Sequence, residues 1–83
     1  MLQEQVMYNL IECNNDGAVD VVTFTILDCA KSNLLQQADF AIKKAKESNN
    51  YLALEKTEDS YKIFYKDNTW LQFKVISCNL YSF

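Results

Sequence analysis

Apolar positions keep a helical period over Leu34 to Asn50, LLQQADFAIKKAKESNN, where Leu34, Leu35, Ala38, Ala41, Ile42 and Ala45 fall on one stripe. The opposite face carries Gln36, Gln37, Asp39, Lys43, Lys44, Lys46 and Glu47, with Phe40 standing among the polar groups. This stretch predicts the central helix. Residues 2 to 13, LQEQVMYNLIEC, place Leu2, Val6, Leu10 and Cys13 on a second stripe that Met7 and Ile11 widen, which predicts an N-terminal helix. Its stop is the turn-forming run Asn14-Asn15-Asp16-Gly17.

After Asn50 the period changes to two. Tyr51 to Lys56, Ser60 to Lys66 and Trp70 to Cys78 each alternate, and the polar links between them are short, which predicts a three-stranded antiparallel meander. Leu71, Phe73 and Val75 are expected to face the core and Gln72 and Lys74 to face water, with Tyr61, Ile63 and Tyr65 on one face of the middle strand. The tail NLYSF is apolar enough to dock on another surface.

Residues 18 to 31, AVDVVTFTILDCAK, support two readings. The β-branched run Val19 to Leu27 favours a strand by propensity. Alternatively, Asp20 or Thr23 caps a helix that runs to about Lys31 and buries Val22, Ile26, Cys29 and Ala30, with Ser32 or Asn33 ending it and capping the next. The first reading yields an α-β-α-β-β-β chain, an antiparallel sheet with two helices on one face. The second yields three helices followed by the meander.

Composition narrows the chemistry. With 83 residues, 49% of them hydrophobic, residues 1–83 are expected to form a single domain with its own core. No apolar run is long enough for a membrane-spanning helix, and MLQEQ has no basic leader region, so a cytoplasmic protein is expected. Cys13, Cys29 and Cys78 are odd in number and widely spaced, which suits small buried hydrophobes in a reducing compartment. There is no histidine to act in proton transfer or to activate a nucleophile, and Gly17 is the only glycine, so no phosphate-binding loop can be built. Glu12, Asn14, Asp16 and Gly17 imitate the start of a calcium loop, but its closing position is Thr23. No enzyme, metal or cofactor is expected.

Charge is unevenly spread within a net −3. Residues 1–42 hold one Lys against six acids, and residues 43–83 hold seven Lys against five acids. All cations are Lys, so the bidentate fork of Arg is missing.

In the three-helix reading, TFTILDCAKSN, LLQQADFAIKKAKESNNYLAL and the hairpin LEKTEDSYKIFYK, roughly residues 20–66, resemble a winged helix-turn-helix DNA-binding domain. The resemblance implies an α+β, winged-helix-like fold and a small regulator that binds double-stranded DNA, as a homodimer on adjacent half-sites. Gln36, Gln37, Phe40, Lys43 and Lys44 would then lie on the recognition helix, and Lys56, Lys62 and Lys66 on or near the wing. The alternative function belongs to the two-helix sheet: a small acidic protein-binding module, of inhibitor, immunity or decoy type, whose acidic first half meets a basic protein surface.

Overall fold

The computed structural model describes the backbone of residues 3–82 and the side chains of residues 5–79. Its elements are β1 (Gln3–Asn14), β2 (Gly17–Phe24), α1 (Leu27–Glu47), β3 (Tyr51–Lys56), β4 (Ser60–Tyr65) and β5 (Trp70–Ser82). The strands form one sheet in the order β2-β1-β5-β4-β3, antiparallel throughout, with the long β5 at its centre.

The class is α+β, but with one helix instead of three, and the winged-helix arrangement is replaced by a five-stranded sheet. The N-terminal segment is the first correction. Val6 and Leu10 are four apart, a spacing that suits a helix but is also an even number, so it suits a strand as well. As β1 the segment puts Tyr8, Leu10 and Glu12 on one face and Met7, Ile11 and Cys13 on the other, and pairs with β5 from Gln3↔Ser82 to Asn14↔Leu71. Leu2 and the side chains of residues 80–83, including most of the tail expected to dock, lie outside the described residues.

The second correction concerns residues 18–31. Val19, Val21, Val22 and Phe24 belong to β2, and the helix begins only at Leu27. Ser32 and Asn33 do not stop it. The Asn33 side chain donates to the Cys29 carbonyl at 3.0 Å, so a group expected to cap a new helix bonds back into the turn before it. The two-helix alternative fails as well, because it also made residues 2–13 a helix. By contrast, β3, β4 and β5 start where the alternating pattern put them.

Turn chemistry closes the joints. Asn14 and Gly17 face each other across a two-residue hairpin loop, the Asp16 amide donates to Asn14 Oδ1 at 2.8 Å, and Gly17 takes a φ of 129° that a Cβ would strain. At the end of α1, Asn49 is left-handed with φ 57°, and the Asn50 amide returns to the Ala45 carbonyl at 2.8 Å.

Helix α1 leaves the β2 edge beside Phe24 and delivers the chain to the β3 edge at Tyr51, at the opposite end of the strands, so it crosses one face of the sheet diagonally. Its buried residues are Ala30, Leu34, Ala38 and Ala45, mostly alanines that let the helix lie close to the strands. Against them pack Leu10, Tyr61, Ile63, Phe73 and Val75. The other face of the sheet has no helix over it. It carries the hydrogen-bonded pairs Thr23–Asn9 and Gln72–Ser60, and Lys62 lies over the Trp70 ring at 4.4 Å.

A diagonal helix leaves two corners of its own sheet face uncovered. One is pinned: Lys31 reaches from α1 to Glu58 Oε1 at 3.2 Å and to Asp59 Oδ1 at 3.7 Å in the β3–β4 turn. The hydrogen bond to Glu58 holds the Lys31 pKa above its ordinary value of 10.5, so this contribution is complete below that value and is lost only as the pH rises beyond it. The other corner, at the β1–β2 hairpin end, is open.

The cysteines differ from expectation too. Cys29 and Cys78 are exposed, Cys13 is half-buried with its Sγ 3.7 Å from Gln72 Oε1, and all three are free thiols. No described helix is long and apolar enough to cross a membrane.

Candidate functional site

The open corner is a groove of about 500 Å³ between the C-terminal half of α1 and the sheet. Phe73 and Leu71 on β5 form its floor, with Tyr65 on β4 and Glu12 on β1 beside them, while Gln36, Gln37, Phe40, Lys44 and Ser48 make the helical wall. The spacing 36, 40, 44, 48 repeats every four residues, so these side chains follow one flank of the helix. Ala41 and Ala45, also lining the groove, are too short to fill it.

Phe40 defines the wall and is 62% exposed, with Lys44 Nζ 5.1 Å from its ring centroid. An apolar ring left in water beside an apolar floor gains by being covered. The acidic end is set by register: Phe73 pairs with Glu12 and Glu12 with Asp20, so both carboxylates share the helix-side face of the sheet with the groove floor.

Tyr65 reports the polarity of the site. Burial, then the negative charges of Asp67 and Glu12, push its phenol above the ordinary value of 10. Because the folded state favours the neutral phenol, the associated stability is present below pH 10 and declines as pH rises through the raised value. An absorbance titration of the wild type minus that of Tyr65→Phe is expected to show one tyrosine with a midpoint above 10. A midpoint at or below 10 would place Tyr65 in open water and remove it from the wall. Beside it, hydrogen bonds from the Thr69 hydroxyl and amide hold Asp67 below its ordinary 3.8, which fixes the β4–β5 turn until the pH falls through that lowered value.

The residues predicted to contact DNA are divided among several places. Gln36, Gln37, Phe40 and Lys44 line the groove, and Lys43 is exposed on α1. Lys56 ends β3 with its Nζ 5.3 Å from the Tyr61 ring centroid. Lys62 belongs to the sheet face turned away from α1, because it pairs with Gln72 and Glu55. Lys66 follows β4 and donates to Asn49 Oδ1 at 3.2 Å. Lys62 and the helix lysines therefore lie on opposite sides of the sheet, and a single duplex face does not connect them.

Sequence reasoning missed Glu12 as a wall residue and treated Tyr65, Leu71 and Phe73 only as strand positions. Their signal was present: Leu71 and Phe73 alternate toward the core, but only the path of the helix determines which core residues remain uncovered. Among the described residues no three of His, Cys, Asp and Glu gather as a metal-binding group. Glu12 is the one carboxylate among the residues lining the groove, with Tyr65 and Lys44 as its other ionisable side chains. Comparison with protein-family models, curated proteins and solved structures returned no match.

Proposed function

We propose that this chain is a protein-binding module that acts by occupancy and catalyses no reaction, and that its site is the groove beside α1. The observation carrying this reading is Phe40, a large exposed aromatic standing over an apolar floor with the Glu12 carboxylate at one side. Aromatic anchors in partly formed pockets are what interface hot spots are made of. The occupant follows from charge: Glu12 and Asp20 at the hairpin end select a segment of a partner protein that combines apolar residues with Lys or Arg. Lys44 at the far wall discourages a second basic residue there, which gives the groove a direction.

The test is selection from a library of random peptides displayed on phage, using the whole chain as bait and a Phe40→Asp chain for counter-selection. Enrichment of peptides with basic and apolar residues is expected. Enrichment of acidic peptides, or equal recovery on both baits, would overturn the reading. For a selected peptide, Phe40→Ala is expected to lower affinity about tenfold or more. Because the ring is exposed, the same change should alter stability by less than about 1 kcal/mol in urea denaturation. A loss of several kcal/mol would make Phe40 a core residue instead.

A further inference from the structure

The sheet has two edges, and they are built differently. β3 ends in Glu55 and Lys56 and carries a register irregularity after Tyr51, features that discourage another strand from pairing. β2 reads GAVDVVTF, with neither Lys nor Pro. Val19 is the extra residue of a bulge opposite Glu12 and Cys13, which leaves Asp20–Phe24 as a regular run with a free outer edge. Val21, which faces away from α1, is 53% exposed, and Val22 on the helix side is exposed as well. Past the bulge, the run Asp20–Phe24 is regular and β-branched, with Asp20 as its one charge, and its acidic row continues to Glu12 at the groove, so this part of the edge is a template for an added strand.

We propose that the partner segment binds as a sixth strand along β2, extended, with a Lys or Arg opposite Asp20 on the helix side and apolar residues beside Val21 on the other face. This rests on the protein-binding reading above and extends its site from the groove, along the acidic row Glu12–Asp20, to the β2 edge. Side-chain alternation dictates the pattern, because an added strand shares the two faces of β2 residue by residue. A basic side chain opposite Asp20 is directly next to that carboxylate, and Glu12 is one strand further along the same row. A second copy fits less well. A two-fold axis along this edge offers only residues of β2 opposite Asp20, on the helix side Val22, Phe24 or Asp20 itself, and β2 contains no cation. Five regular residues also bury far less than the roughly 800 Å² per partner of a stable interface.

The probe is a capped octapeptide of alternating lysine and valine, added to the ¹⁵N-labelled full chain. Two further peptides carry N-methyl groups on alternate amides, in one phase or the other. Strand addition predicts slowed exchange on binding of those Asp20–Phe24 amides that point away from β1, every second one, and at least a tenfold loss of affinity in one methylated phase but not the other. Equal binding of both methylated peptides would overturn the proposal, as would no binding of the parent peptide at millimolar concentration. Shift changes confined to Phe40, Ala41 and Phe73 would overturn strand addition while leaving the groove in place. Failure of the library selection would remove both. A dimer in light scattering of the free chain, with β2 amides already protected, would assign the edge to a second copy and overturn the proposal.

Discussion

Leu34→Ala is expected to destabilise the fold by about 3–4 kcal/mol, measured by urea denaturation. Leu34 is 2% exposed and is the one large, fully buried side chain on α1, whose other buried residues are Ala30, Ala38 and Ala45. It is therefore the largest side chain that the helix buries completely against the sheet, and alanine neighbours cannot collapse into the space it leaves. A chain of this length commonly has only about 4–12 kcal/mol of total stability, so the variant should unfold at much lower urea. Leu35→Ala is the matched control. Leu35 is 47% exposed, and its truncation should cost less than about 1 kcal/mol. Equal losses at the two positions would mean that the helix is rotated from the orientation described.

Phe73→Ala should cost about as much or more, roughly 3–5 kcal/mol. Phe73 is buried on the central strand, where it pairs with Glu12 on one side and Tyr61 on the other and also floors the groove. Truncation removes core packing and binding surface together. Peptide affinity should therefore fall even under conditions where the variant remains folded, as circular dichroism would verify. The contrast with Phe40→Ala is diagnostic, since that ring contributes to the groove without supporting the core. A Phe73→Ala chain that kept its stability would show that β5 is not the centre of the packing.

Much of the second half was legible in the sequence. Strands with one wet face alternate, and YLALEK, SYKIFYK and WLQFKVISC did so clearly enough to place β3, β4 and β5, to assign Phe73 and Val75 to the core face and to put Tyr61 and Ile63 together on one face of β4. Lys43 and Lys44 were placed correctly on the exposed face of a helix. The first half was not legible in the same way. In LQEQVMYNLIEC both faces of the strand carry apolar residues, so the period-two signal is lost and the spacing of four residues imitates a helix. In residues 18–31, β propensity gave the right element, whereas the capping residues Ser32 and Asn33 suggested a break that the continuous helix does not have.

By itself the sequence determined the turn at Asn14–Gly17 and those between the alternating strands of the second half, that the charge divides into an acidic front and a lysine-rich back, and that histidine chemistry is absent. These are local properties, read from neighbouring residues. Only the tertiary structure decided that β1 pairs with the distant β5, because that register is fixed by residues more than fifty positions apart. The same holds for the groove. Phe40, Glu12 and Phe73 come together because α1 crosses the sheet diagonally and covers it incompletely, and the direction of a helix across a sheet is set by the whole interface at once, by no single run of residues.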